Sequence, residues 1–289
     1  FGRVMTLPMS HGPRSRFQWL RFGAVFASLC GSYQVLEGVR GFSAGMLATT
    51  KLYVVRHGAV IPPGGRTAAI YGGAEVELSE TGKAEAQAAA EYLMSEVPLL
   101  DAVYSSGLKR AIYGAERICG GRGLQPIKDF RFNEINRGVW VGLTRDEIAE
   151  RYPDHVRSIG SLSTFEGDPE FSGHGGESYR ALGRRVLEGR DSLLLKHPGS
   201  TICVVCHNWV VAALVGDASG IPPEQWCTLK IPTASVSLLE IQHQKANEDD
   251  DDSMVIKDQK VVFSGKSPAD YTGGRLAENV GSVFFSGKG

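Results

Sequence analysis

The chain has 289 residues, 42% hydrophobic and 22% charged, an ordinary globular composition long enough for one large domain or two small ones. A formal net charge of −1 excludes a global field drawing it to nucleic acid or an anionic membrane, so any phosphate recognition must come from a local site. Five scattered cysteines (Cys30, Cys119, Cys203, Cys206, Cys227) are an odd set that argues against a disulfide framework and fits a reducing compartment.

Residues 1–50 hold five arginines (Arg3, Arg14, Arg16, Arg21, Arg40), one acid (Glu37) and no lysine. Arg-rich, Ser-containing, acid-poor composition predicts a targeting presequence, with a chloroplast or mitochondrion as destination. The alternative is an upstream extension with Met46 as the true start and a cytoplasmic protein. The apolar run Phe22–Cys30 is too short to span a bilayer, so no membrane span is expected.

Residues 51–242 carry the regular patterning. Lys51-Leu-Tyr-Val-Val55 reads as a buried strand ending at Arg56. Ser79 opens an Ala- and Glu-rich helix that runs to about Glu96-Val-Pro98. Leu100–Tyr104 is the next strand and Lys109–Cys119 the next helix. Thr144 predicts an N-cap, with Glu147 as its reciprocal partner, for a helix to Tyr152. A long helix over 178–196 stops at Lys196-His-Pro198. Ser200–Cys206 is a third buried strand, followed by helix 209–216 and the alternating strand Ala234–Ile241.

Alternating strands and helices predict an α/β fold, a three-layer α/β/α sandwich with a mainly parallel central sheet. Residues 243–289 are set apart as an accessory tail. Its acidic run Glu248–Asp252 reads as solvated, with one candidate strand at Lys260–Phe263.

Cys203-Val-Val-Cys206-His207 matches a haem-attachment pattern and contains a C-x-x-C. In a strand, positions three apart face opposite ways, so these sulfurs are not expected to converge. Gly120-Gly-Arg-Gly123 is read as a turn, not a phosphate loop.

In open α/β sheets, ligands bind beyond the carboxyl ends of strands. Arg56-His57-Gly58 ends the first strand and His207-Asn208 follows the third. Two histidines with an arginine make a cationic pocket, and Gly58 is expected to let the backbone approach a ligand. Each signal is common singly. The ordered set is more specific: Arg56-His57-Gly58, Leu78-Ser-Glu-Thr-Gly82, Ser105-Ser-Gly-Leu-Lys-Arg110, Asn133-Glu134-Ile-Asn-Arg-Gly138-Val-Trp-Val-Gly142, Gly175-Gly-Glu-Ser178 and Val205-Cys-His207. Over 51–242 this series resembles the histidine phosphatase superfamily, in its phosphoglycerate mutase-like branch.

The resemblance implies that His57 is a nucleophile forming a phosphohistidine, with Arg56, Arg110 and His207 on the equatorial oxygens. Glu134 would be the general acid and then the base, with Glu147 and Glu177 as competing carboxylates. The phosphate- and substrate-binding set is then Arg56, Gly58, Arg110, His207 and Asn208. No metal and no cofactor is implied, because the arginines supply the positive charge. The sequence departs from the family at Ala59-Val-Ile-Pro-Pro63, where polar groups are usual, and at Asn208-Trp209. Backbone amides, or Thr67 and Tyr71 further on, are expected to substitute for those groups, and Arg66, Arg137 and Arg145 are candidates for substrate contacts. His155, His174 and His197 are expected at the surface.

The leading expectation is a phosphatase acting on a small phosphorylated metabolite. A cofactor-dependent phosphoglycerate mutase is the first alternative; only 33 residues lie between Gly142 and Gly176, where mutases carry a long insertion. A pseudophosphatase that binds a phospho-ligand or partner without turnover is the second.

Overall fold

The computed structural model describes residues 45–159, 169–247 and 253–274. The presequence reading therefore lies outside the described residues, except that the first strand, β1 (Leu47–Arg56), already begins within the stretch assigned to it. The other strands are β2 (Ala102–Ser105), β3 (Ile127–Lys128), β4 (Thr201–Cys206), β5 (Val236–Lys245) and β6 (Met254–Lys266). The helices are α1 (Glu80–Glu96), α2 (Lys109–Cys119), α3 (Arg145–Arg151), α4 (Pro153–Ile159), α5 (Tyr179–Lys196), α6 (Asn208–Ala218) and α7 (Pro268–Thr272).

The sheet order is β3-β2-β4-β1-β5-β6. The first four are mutually parallel, while β5 runs antiparallel to β1 and β6 antiparallel to β5. Strand alternation divides the core. Leu52, Val54, Ile202, Val204 and Cys206 face α5 and α6, and Tyr53, Val55, Cys203 and Val205 face α1 and α2. Helices thus cover both faces of one sheet, a three-layer α/β/α sandwich. Cys203 and Cys206 fall on opposite faces as free, buried thiols, so the strand period governs them rather than the C-x-x-C pattern.

The helix starts follow from capping. Ser79 Oγ accepts from Gly82 N at the head of α1, and Thr144 and Glu147 form the reciprocal box on α3. The helix ending at Lys196 has Ser178 as its N-cap.

The strand expected at Lys260–Phe263 is longer than the sequence reading, and it lies in the same sheet as the strands of 51–242. Its Met254, Ile256, Val261 and Phe263 pack partly buried on the two cores. Buried Arg190 reaches Asp217 at 2.5 Å, and Gln259 of β6 donates to the same carboxylate at 3.0 Å, tying the edge strand to α6. Lys257, Asp258 and Lys260 on the exposed side are the polarity an edge strand carries, and they obscure its apolar face in the sequence.

Candidate active site

Parallel pairing of β1 with β4 sets Arg56 opposite Cys206, so the residues leaving the two strands emerge side by side. His57 N donates to Cys206 O at 3.0 Å, and the rings of His57 and His207 lie 5.1 Å apart. Both are buried. His57 Nδ1–H donates to Gly58 O at 2.7 Å, which assigns the ring proton to Nδ1 and leaves Nε2 as the lone-pair nitrogen. Burial, with the Arg56 and Arg110 guanidiniums close by, pushes His57 well below the ordinary histidine value. The ring is therefore neutral across the physiological range.

The two arginines are anchored by carbonyls rather than by acids. Arg56 Nη1 donates to Ile231 O at 2.5 Å; Arg110 donates to Ala74 O and Gly72 O, both at 2.7 Å. Carbonyls orient a guanidinium without cancelling its charge. The Nε–H groups of both arginines are buried without a partner, as is His207 Nδ1. Ser106 Oγ accepts from Leu108 N at 3.3 Å and forms a hydrogen bond with His207 Nε2 at 2.7 Å, which leaves Nδ1 as the ring nitrogen without a partner. The centre thus holds two formal positive charges and unpaired donors in a water-poor space. This arrangement demands an anion.

Glu134 is buried where it links this cage to open space. Its Oε1 accepts from Ile135 N at 2.9 Å, and its Oε2 faces Trp209 N, two residues beyond His207, at 3.4 Å. It also lines a cavity of about 550 Å³. The competing carboxylates are engaged elsewhere. Glu147 is held down to about 2 by the Thr144 backbone amide and by Arg66, so it is ionised and cannot donate a proton. Glu177 is clamped by Arg185 at 2.6 and 2.8 Å.

Several expectations require correction. Gly58 gives room to its own chain rather than to a ligand, because a Cβ there would strike the Gly82 carbonyl. A Cβ on Gly82 would strike Ala59 in turn, which accounts for the glycine ending Leu78-Ser-Glu-Thr-Gly82. Arg66 is spent on Glu147. Arg137 is buried, donates to the Tyr179 hydroxyl at 2.8 Å and lies over the Tyr179 and Trp209 rings. Arg145 starts α3 on the surface. Tyr71 lies under Arg110 at 5.3 Å, and Thr67 is exposed. Asn208 opens α6 half-buried. His174 is buried against Trp140, accepts from Gly176 N at 2.9 Å, and is lowered to about 4 chiefly by burial. His155 accepts from the Trp140 indole and His197 pairs with the Tyr104 hydroxyl, so neither is a bare surface histidine.

Other site residues escaped the sequence reading. Glu85 accepts from Ala59 N at 2.7 Å and from Thr233 Oγ1 at 3.1 Å, bridging the loop after His57 to the loop before β5. Ala234 holds a left-handed φ of 52° while its N–H donates to His57 O, and Tyr271 of α7 donates to Ala234 O. An acid between two alanines, and a tyrosine in a tail, carry no local signal of such roles.

The chain is similar to known proteins in sequence and fold. A family described as histidine phosphatase superfamily (branch 1) matches residues 52–249. Phosphoserine phosphatase 1 of Hydrogenobacter thermophilus is 30% identical over 196 residues, covering 68% of this chain and 88% of that protein. Glucosyl-3-phosphoglycerate phosphatase of Mycolicibacterium vanbaalenii is 31% identical over 187 residues, 62% of this chain and 78% of that protein. The native structure of a mycobacterial glucosyl-3-phosphoglycerate phosphatase superimposes with a TM-score of 0.60 at 26% identity, covering 75% of this chain and 99% of that one.

Proposed function

Because the chain belongs to the histidine phosphatase superfamily (branch 1), we propose that it hydrolyses a small phosphomonoester through a phosphohistidine on His57, without a metal ion. The observation that carries the proposal is the neutral His57 ring, with Nδ1–H pinned to Gly58 O and Nε2 left as a base, inside a cage of Arg56, Arg110 and His207. Nε2 attacks phosphorus and the P–O bond to the alcohol breaks. Protonated Glu134 gives its proton to the departing oxygen. Its carboxylate then takes a proton from water, whose oxygen attacks phosphorus as the N–P bond breaks. The two guanidiniums, with His207 beside them, offset charge on the equatorial oxygens throughout.

The direct test is phosphate release from p-nitrophenyl phosphate and a metabolite panel in the presence of EDTA, between about pH 5 and 8. Release no greater than that of a His57→Ala control overturns the reading. Glu134→Gln should slow esters of poor leaving groups on the order of 10²- to 10⁴-fold and spare p-nitrophenyl phosphate, whose leaving group needs no proton. An equal effect on both substrates moves the acid elsewhere.

A further inference from the structure

The cavity beside Glu134 has a composition that selects among phosphate esters. Phe130 and Val141, 68% and 38% exposed, form an apolar wall accessible to a ligand. Asn133 Oδ1 accepts from Gly107 N at 2.7 Å and Asn136 Oδ1 from Gly138 N at 2.9 Å, so the amide NH₂ groups are what these side chains can offer. The charged groups lining the cavity, among the described residues, are Glu134, Glu177 and Arg185.

Arg185 spends three of its five N–H groups, and its charge is offset by Glu177. Its Nε and Nη2 hold Glu177 at 2.6 and 2.8 Å, and its Nη1 donates to Arg131 O at 2.6 Å. The lining sums to −1 when Glu134 is ionised and to zero when Glu134 carries the proton it donates. In neither state is it positive. Residues 160–168, outside the described residues, contain two acids and no lysine, arginine or histidine. A carboxylate on the leaving group would therefore meet Glu177 and Glu134 with no surplus positive charge in the lining, because the Arg185 charge is already offset by Glu177. Like charges in such a space disfavour each other strongly.

Resting on the phosphatase reading above, the geometry points to a phosphate ester of an uncharged alcohol as the substrate. Its carbon body lies on Phe130 and Val141, its hydroxyl or ether oxygens accept from the Asn133 and Asn136 amides, and the Glu177–Arg185 pair rejects carboxylated esters. Both curated relatives described above have names that specify esters bearing carboxylates, so this is a departure from them.

The test compares matched esters: glycerol 3-phosphate against 3-phosphoglycerate, and N-acetyl-O-phosphoserinamide against N-acetyl-O-phosphoserine, whose blocked amines leave the carboxylate as the one difference in charge. The uncharged member of each pair should have a kcat/KM at least about tenfold higher. Glu177→Gln releases Arg185 and should shrink that ratio at least threefold or so by raising kcat/KM for the carboxylated member. Arg185→Gln leaves Glu177 unpaired and should widen the ratio, which gives a second reading of opposite sign if the first variant folds poorly. Preference for the carboxylated esters, with p-nitrophenyl phosphate still hydrolysed, overturns the substrate class. Ratios unmoved in both variants overturn the role of the pair. Loss of p-nitrophenyl phosphate hydrolysis to the level of His57→Ala would instead remove the phosphatase reading itself.

Discussion

The two ends of the central sheet both bury histidines, and they treat them differently. At the carboxyl ends of β1 and β4, His57 and His207 sit among two guanidiniums that are hydrogen-bonded to backbone carbonyls. At the opposite end, His243 Nε2 pairs with Thr50 Oγ1 at 2.9 Å, and Thr50 also donates to His197 O and accepts from Gly199 N. Burial alone lowers His243 to about 4. A depressed, buried histidine is thus a consequence of packing anywhere in this sheet. What distinguishes the first end is surplus positive charge with unpaired N–H donors, which only an anion completes.

The largest expected effect tests that distinction directly. His57→Ala should lower turnover by at least about 10³-fold, because covalent catalysis loses its nucleophile. His243→Ala should leave turnover within about twofold and lower stability by roughly 1–3 kcal/mol, through lost packing and the lost hydrogen bond to Thr50. Phosphate release and denaturant unfolding read the two quantities separately. Equal loss of turnover in both variants would break the comparison.

Arg110→Lys comes next. A lysine keeps the charge but not the fork that holds the Gly72 and Ala74 carbonyls while presenting Nε–H inward. Turnover should fall by about 10²-fold, the scale of losing one preorganised donor to a transition-state oxygen. If lysine restored full activity, positive charge alone would suffice and the buried Nε–H would be incidental.

How much of this was readable from the sequence divides along the same line. His57, Arg110, Glu134 and His207 sit in short runs whose order carried the resemblance, and the strands they terminate are apolar runs of the right length. The support beneath them was not readable, because it is made by residues distant in the chain. Glu85, bonded to Ala59, reaches Thr233 across 148 residues, and Ser106 meets His207 across 101. Gly58 was misread because a glycine can make room for a ligand or for another backbone segment, and only the packing of Gly82 decides. His174 was misplaced for a related reason: a histidine between glycines resembles a loop residue, yet the Trp140 side chain covers it.

The smallest effect is a slope. His243 is lowered to about 4 in the folded chain and returns to about 6.5 when unfolded. Between those values the unfolded state binds more protons, so stability rises with pH across the window. The contribution is complete above about pH 6.5 and is lost as pH falls toward 4. Replacing His243 by Gln, which keeps a partner for Thr50, should reduce the steepness of unfolding free energy against pH by as much as about 1.4 kcal/mol per pH unit in mid-window. His57 follows the same sign for stability, but its depressed value also preserves the Nε2 lone pair. The pH–rate profile should therefore show no loss of activity near 6.5 arising from His57, and the His243→Gln profile should overlay that of the parent. An inflection near 6.5 that disappears in His243→Gln would place a catalytic proton at the wrong end of the sheet and undo the contrast between its two ends.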